Sequence, residues 1–183
     1  MVSSLKITLV AALLLLTACR SDPIQFHTLT PAQPGGGGGS DIQIESITVP
    51  PQVDRPQIVI RQGNAGLAIL ETQWWGASLS DELRSALIDQ LVNRNPRRKV
   101  SLRLVVQRFD SIPGQYALID VKWRLRNLGN GDAELVTCRS TLQTPSGASI
   151  DELVVAHQNN VKRLAAAISQ TTADTSKACP AAQ

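Results

Sequence analysis

The sequence predicts an α+β fold, a mixed, mainly antiparallel sheet with two amphipathic helices packed on one face. Three observations predict it. Apolar and polar residues alternate along several short runs, apolar residues recur at helical spacing from Ser78 and again from Ser149, and turn residues separate these runs. Residues 24–183 are expected to form a single domain, because a chain of 183 residues suits one core.

The N-terminus has the pattern of a cleaved export signal. Lys6 precedes an apolar run that is too short to span a membrane. In "LTAC" (16–19), a large apolar residue stands three positions before a cysteine and two small residues directly before it, the arrangement that lipoprotein signal peptidase cleaves. Residues 1–18 are therefore predicted to be a lipoprotein signal peptide, with Cys19 lipidated and residues 19–23 a tether. The alternative is an ordinary secretory signal in which Cys19 is incidental.

The export signal and position 20 set the expected compartment. Arg20 stands where an aspartate usually retains such proteins in the inner membrane, so the sequence predicts a lipid anchor on the periplasmic face of the outer membrane of a Gram-negative bacterium. Export also removes nucleic acid as a partner for the basic cluster at residues 94–99. The formal net charge of +3 by itself indicates no class of partner.

Two further cysteines, Cys138 and Cys179, are predicted to form a disulfide, because exported proteins fold in an oxidising compartment. Two unpaired thiols are the alternative. Neither cysteine indicates a metal site, since no Cys-x-x-Cys spacing and no clustered histidine accompanies them. We expect neither a metal nor a cofactor.

The first part of the domain contains several strand-like runs. A short strand is expected between Ile24 and Thr30, followed by a glycine-rich loop at residues 34–40. "DIQIESITVP" alternates with one slip that predicts a β-bulge, and "PQIVIR" and "LAILET" predict two more strands. Prolines restrict these strands to sheet edges or to strand starts, namely Pro50, Pro51 and Pro56.

Two amphipathic helices are predicted. The first begins at Ser78, which forms a capping-box-like start with Asp81, and it ends before Pro96. Its apolar stripe consists of Leu79, Leu83, Leu87 and Leu91. The second begins near Ser149, with Glu152 completing a capping box, and its stripe consists of Ile150, Leu153, Val154, Val161, Leu164, Ala165 and Ile168.

Between the helices, residues 100–143 are predicted to form an antiparallel meander of three strands. The middle strand is the clearest, because its apolar residues face one side and its charged residues the other. The core side is formed by Ala117, Ile119, Val121, Trp123 and Leu125. The solvent side is formed by Asp120, Lys122, Arg124 and Arg126.

The two histidines do not indicate catalysis. His157 falls on the apolar stripe of the second helix and is predicted to be a neutral, hydrogen-bonded histidine of the core or its edge, since no serine elbow or reactive cysteine accompanies it. His27 lies in the first strand. We therefore predict no catalytic residue and no enzyme.

Several motifs resemble the PqiC/YmbA family of ABC-type transport auxiliary lipoproteins. They are "FHTLTP" (26–31), "VDRPQIVIR" (53–61), and Trp75 followed by Leu79 at the start of "LSDELRSALIDQL". Where the family tends to read Trp-Ala-Glu-Pro-Leu, this chain reads Trp-Gly-Ala-Ser-Leu. The resemblance implies a non-enzymatic outer-membrane subunit that docks a periplasm-spanning MCE-domain protein moving lipid or another hydrophobic compound between membranes. The alternative is a periplasmic carrier that holds lipid inside its own fold.

The "DRPQ" segment and the adjacent tryptophans are predicted to form a surface for a partner or for self-association, consisting of Asp54, Arg55, Gln57, Trp74 and Trp75. The side chains of Trp74 and Trp75 are expected to diverge, and Trp75 is predicted to be an apolar anchor. A homo-oligomeric ring of such subunits would match a symmetric conduit.

Arg55 is expected to bind a carboxylate on another chain. Adjacent residues of an extended segment point to opposite sides, so Asp54 and Arg55 cannot both be buried by the same local contact. The planar guanidinium fork of Arg55 suits a carboxylate. The alternative is an internal ion pair between Arg55 and either Asp81 or Glu82 at the start of the first helix.

Overall fold

The computed structural model describes residues 22–35, 40–92, 98–128, 135–173 and 179–180. The predicted signal peptide, Cys19 and residues 36–39 of the glycine-rich loop lie outside the described residues. The α+β class is confirmed. In chain order, the elements are β1 (Gln25–His27), β2 (Ser40–Thr48), β3 (Gln57–Gln62), β4 (Gly66–Trp75), α1 (Leu79–Leu91), β5 (Arg98–Ile112), β6 (Tyr116–Asn127), β7 (Leu135–Pro145) and α2 (Ile150–Ala173).

The strands form two sheets, not the single sheet that the sequence predicted. A small sheet has the order β1-β4-β3, and a large sheet has the order β2-β5-β6-β7. Both sheets are mixed, because β1 runs parallel to β4 and β2 runs parallel to β5, whereas the other neighbours are antiparallel. The two parallel pairs join strands that are far apart in the chain, and hydrophobic periodicity carries no information about such pairing.

Local sequence features are found where they were expected. The slip in "DIQIESITVP" is a break in register between Ile44 and Ser46, where Glu45 is the extra residue of a β-bulge. Strands β2 and β3, which are flanked by prolines, are edge strands of their sheets. An edge position tolerates proline because one side of the strand needs no ladder hydrogen bonds.

Side chains cap both helices at their N-termini. Ser78 has extended backbone angles, and its Oγ accepts a hydrogen bond from the Asp81 amide at 3.3 Å. At α2 the capping box is reciprocal, since Ser149 Oγ accepts from the Glu152 amide and Glu152 Oε2 accepts from the Ser149 amide. Hydrogen bonds from the Ser149 hydroxyl and backbone hold the pKa of the Glu152 carboxyl below its usual value.

The core lies between the helices and the large sheet, and it continues into the small sheet. The largest fully buried side chain is Trp123 of β6, whose Nε1 donates to Ser140 Oγ at 3.0 Å. Helix α2 packs on β6 and β7, and α1 packs on β2 and on α2. The predicted apolar stripes of both helices supply buried residues, among them Leu83, Leu87, Leu153, Leu164 and Ile168.

The outer side of β6 departs from its predicted pattern at one residue. Lys122, Arg124 and Arg126 are exposed as expected, but Asp120 is only 4% exposed. Arg139 of β7 covers this carboxylate and donates from Nε to Oδ1 at 2.8 Å, and Thr141 Oγ1 donates to the same oxygen at 3.2 Å. Cross-strand neighbours therefore bury a residue whose alternation places it on the solvent side.

Candidate interaction surface

Trp75 is buried in the core. Its side chain is 2% exposed and lies edge-on to the rings of Phe109 and His157, with centroid distances of 6.4 Å in each case. The prediction that Trp75 is an interface anchor is wrong, because the end of β4 directs this indole into the core against β5 and α2, and a partner could reach it only by opening the core.

Trp74 lies on the opposite side of β4 and is half-buried. Its ring packs edge-to-face on Phe26 of β1 at 6.3 Å, and its Nε1 donates to the Glu71 carbonyl oxygen at 2.9 Å. Phe26, Trp74 and Gln57 are partners in register, so they form one row across the small sheet. The structure thus places Trp74 and Gln57, two residues of the predicted surface, on one outward face.

Several apolar side chains of the small sheet are exposed. Leu67 and Ile69 lie farther along β4, beyond an irregularity in the pairing of β3 with β4 that falls between Ile69 and Trp74. Phe26, which packs on Trp74, is 66% exposed. Exposed apolar side chains of this kind are typical of an interaction surface.

Residues 54–57, which we call the docking segment, lead into β3 in the chain. In the folded structure they contact the end of β4 and the start of α1. Asp54 is exposed, and its Oδ1 accepts from the Ser80 amide at 3.1 Å, while the Pro56 carbonyl accepts from the Trp75 amide at 2.6 Å. The carboxylate also lies near the positive end of the α1 dipole. These contacts fix the segment to the helix start, and Asp54 is engaged inside the chain.

Arg55 of the docking segment has no internal acid partner among the residues that the structure describes. Its side chain is half-buried, and its Nε is buried without a hydrogen-bond acceptor in this part of the chain. The alternative of an internal ion pair is wrong, because Asp81 accepts from Ser78 and Glu82 accepts from Thr28 and Leu29. An arginine held in this way retains its capacity for a carboxylate on another chain.

Glu82 is a structural residue that the sequence interpretation missed. It is 7% exposed, and its Oε2 accepts from the Thr28 hydroxyl and from the Leu29 amide, each at 2.8 Å. These bonds tie the segment after β1 to helix α1. Its position three residues after Leu79 places it on the buried side of the helix, and this spacing was the signal that could have identified it.

A disulfide is found on β7 of the large sheet. Cys138 of β7 and Cys179 are bridged, with 5.6 Å between their Cα atoms and a sequence separation of 41. The bridge ties residue 179, beyond the end of α2, to the sheet.

His157 forms a buried pair with Ser111, with 2.8 Å between Nε2 and Oγ. The imidazole stacks on Phe109 at 4.0 Å, and burial lowers the pKa of His157 to about 3. Catalysis by a serine–histidine pair needs substrate access and a group that orients the second ring nitrogen. Here Ser111 is 2% exposed, His157 is 1% exposed, and Nδ1 has no partner among the described residues. This pair therefore packs the core.

Buried carboxylates on the outer face of the large sheet are each bound by arginine. Asp110 of β5 pairs with Arg108 and with Arg61, whose Nη2 lies 3.1 Å from Oδ1. Hydrogen bonding and charge from Arg139 hold the pKa of Asp120 below its usual value. Because Arg61 belongs to β3, its bond to Asp110 joins the outer faces of the two sheets.

A small open cavity lies on the same face. Its volume is about 180 Å³, and it is lined by Glu45, Ser101, Arg103, Arg124 and Arg126. Ligand pockets for drug-sized molecules are larger, about 300–1,000 Å³, and mostly apolar. This cavity suits a small anion and does not suit an acyl chain.

Neither a metal centre nor a membrane helix is found in the described part of the chain. No three potential ligand side chains cluster among those residues, and none of their helices is long and apolar enough to cross a bilayer.

Comparison with known proteins identifies a family and a shared fold. A family model described as "ABC-type transport auxiliary lipoprotein component" matches residues 25–169. No curated protein matches the chain. A crystal structure of an uncharacterized protein is 18% identical, with a TM-score of 0.66, and the alignment covers 82% of this chain and 99% of that one. A Xanthomonas campestris protein assigned to DUF330 is 14% identical, with a TM-score of 0.56 and coverage of 83% and 94%, respectively.

Proposed function

Because the chain belongs to the family of ABC-type transport auxiliary lipoprotein components, we propose that it is the outer-membrane lipoprotein subunit of an MCE-type ABC transport system. The family predicted from the sequence motifs is thereby confirmed. In the proposed role, the lipid on Cys19 holds the domain at the periplasmic face of the outer membrane, and the folded domain docks the far end of a periplasm-spanning conduit for lipid or another hydrophobic compound. The role requires no cofactor and no catalytic residue.

The family match over residues 25–169 carries this proposal, since it spans all but the ends of the folded domain. The docking segment supports it from the geometry. Arg55 lies beside the start of α1, its side chain is only half-buried, and no acid of the described residues pairs with it, so an incoming carboxylate can bind the exposed part of its guanidinium group.

The proposed docking surface consists of Asp54, Arg55, Gln57 and Trp74. Asp54 contributes indirectly, because its hydrogen bond from the Ser80 amide fixes the docking segment to the helix start. Arg55 would supply the charge-assisted hydrogen bonds to the partner's carboxylate. Trp74 and Gln57 add the neighbouring outward row of the small sheet. Self-association into a ring would present several copies of this surface to one symmetric conduit.

The experiment is affinity capture of the tagged, full-length protein from envelope extract, followed by mass spectrometry for an MCE-domain protein. Arg55→Ala should reduce its recovery at least several-fold, whereas Arg163→Ala on α2 removes the same side chain from a distant surface and should leave it unchanged. Equal recovery with both variants contradicts the docking surface. Absence of any MCE-domain protein from the wild-type capture contradicts the proposed system.

The alternative, a carrier that holds lipid inside its own fold, differs in a measurable way. Native mass spectrometry after gentle extraction would show lipid bound at one-to-one stoichiometry if the protein were a carrier. If the protein is an adaptor, the covalent anchor should be its only lipid in stoichiometric amount. Any other bound lipid should be released by a mild salt wash.

A further inference from the structure

The outer face of β6 carries a row of three exposed cations. Lys122, Arg124 and Arg126 alternate along β6 and are all exposed. Arg103 of β5 and Arg139 of β7 flank this row. We call these five side chains the basic face. Nothing in the docking role described above uses them.

The register places like charges directly opposite one another. Arg124 is the cross-strand partner of Arg103, and Lys122 is the cross-strand partner of Arg139. Like charges at directly opposed positions destabilise a sheet. The folded protein therefore retains an unfavourable arrangement that a bound anion would relieve.

The nearby acids do not neutralise the centre of this face. Arg103 is paired with Glu45, and Arg139 is paired with Asp120, so these two carboxylates are held at the flanks of the row. Asp110 is occupied by Arg61 and Arg108. Within the described residues, the side chains of Lys122 and Arg124 make no hydrogen bond or ion pair.

The cavity of about 180 Å³ opens between these cations. Its lining consists of Glu45, Ser101, Arg103, Arg124 and Arg126. Ser101 is only 8% exposed. Planar guanidinium groups and a hydroxyl donor are the groups that bind a phosphate through several hydrogen bonds at once. The cavity is lined by charged and polar side chains, which suit a phosphate group and do not suit an acyl chain.

We propose that the basic face binds the phosphate group of an anionic lipid headgroup, with Arg124 and Arg126 at the cavity and Lys122 beside it. The lipid would be one of the membrane in which the predicted anchor on Cys19 holds the protein. This step rests on the proposed function. From Cys19 to Ile24 the tether spans five residues, roughly 17 Å at most, so β1 stays near the bilayer. The Arg61–Asp110 ion pair joins the small sheet, which contains β1, to β5 at a point seven residues from Arg103, so the basic face lies roughly 23 Å along the large sheet from this junction.

The test uses full-length lipidated protein in micelles of a neutral detergent, and it measures thermal unfolding by circular dichroism. Phosphatidylglycerol, phosphatidylcholine or inorganic phosphate is added in separate series. The site variant is Lys122→Gln/Arg124→Gln. The matched control is Lys162→Gln/Arg163→Gln, which removes the same charges from α2, on the other side of β6.

Phosphatidylglycerol should raise Tm by several degrees for the wild type and the control, and the shift should fall by at least half in the site variant. Phosphatidylcholine should have no effect, and added salt should weaken the shift. Without lipid, the site variant should melt no lower than the wild type, because the substitutions remove like-charge repulsion. Arg124→Gln alone serves as a second variant if the double variant does not fold.

Three outcomes overturn the proposal. Equal shifts in the two double variants would indicate attraction to net charge alone. A full shift with inorganic phosphate, to which phosphatidylglycerol adds nothing, would identify a free-anion site. Absence of any shift would exclude the site. The capture of an MCE-domain protein is measured separately, so the docking role and the phosphate site can fail independently.

Discussion

Glu82 Oε2 accepts a hydrogen bond from the backbone amide of Leu29 at 2.8 Å, although the two residues are 53 positions apart in the chain. Leu29 is fully buried, so this amide has no access to water as an alternative partner. The carboxylate also accepts from Thr28. One side chain thus satisfies two donors of the segment that leads from β1 into the domain.

Glu82→Ala should lower the free energy of unfolding by about 1–3 kcal/mol, because it leaves a buried amide without an acceptor. Glu71→Ala removes an exposed carboxylate from β4 and should change stability by less than about 0.5 kcal/mol. Urea unfolding at pH 7 measures both. Equal effects of the two substitutions would show that the bonds to Thr28 and Leu29 contribute nothing specific.

The neighbouring tryptophans should respond in opposite ways. Trp75→Ala should cost about 3–5 kcal/mol of stability, because it leaves a cavity next to Phe109 and His157. Trp74→Ala should cost about 1 kcal/mol or less and should reduce capture of the partner. Denaturant melts and envelope pull-downs on the same two variants measure these effects. A Trp74 variant that binds normally would remove this residue from the docking surface.

The disulfide should stabilise the folded chain by about 4 kcal/mol in the chain-entropy model. Cys138→Ser, Cys179→Ser and the double substitution should therefore lower stability by similar amounts, since each removes the same bridge. Thiol counting on denatured, unreduced protein made in the periplasm should find no free thiol at these positions. Two free thiols, or additive losses in the double variant, would contradict the bridge.

His157 should make the protein sensitive to acid. Its pKa is about 3 when folded and near 6.5 when unfolded, so below pH 6.5 the unfolded chain binds the extra proton. This contribution to stability is complete above pH 6.5 and falls by roughly 1.4 kcal/mol per unit as the pH decreases towards 3. Urea midpoints at pH 7, 6 and 5 measure the slope. His157→Phe/Ser111→Ala should have a flatter profile, and an unchanged slope would assign the acid sensitivity to other groups.

Cys19→Ala should prevent processing and lipid attachment and should release the domain from the outer-membrane fraction. Acyl chains supply the membrane affinity in a lipoprotein, and no apolar segment of comparable length follows Cys19 in the sequence. Fractionation with a high-salt wash measures the effect. A Cys19→Ala variant that still floats with the outer membrane would contradict this lipidation site.

The sequence predicted the elements well because each was encoded by neighbouring residues. Ser78 and Ser149 were recognised as helix starts, since capping depends on residues three positions apart. The bulge at Glu45 was visible as a slip in alternation. The core position of His157 followed from its place on the apolar stripe of α2.

The candidate surfaces were only partly predictable. Gln57 and Trp74 were both named from the sequence, but their alignment with Phe26 in one row depends on the pairing of β1, β4 and β3. Trp75 was assigned to the wrong side, because the pairing of β3 with β4 is irregular between Ile69 and Trp74, and periodicity does not show where the alternation breaks. The basic face was noted only as the solvent side of β6, since the sequence does not show which cations lie opposite one another.

The sequence by itself determined the helix and strand content, the helix caps and the family, because these depend on residues that are close in the chain. Only the tertiary structure decided the division into two sheets, the burial of Trp75 and Asp120, and the unpaired state of Arg55 Nε within the described residues. These features depend on contacts between distant segments, such as β1 with β4 and β2 with β5. The free energy of such contacts comes from packing and cross-strand neighbours, which hydrophobic periodicity does not specify.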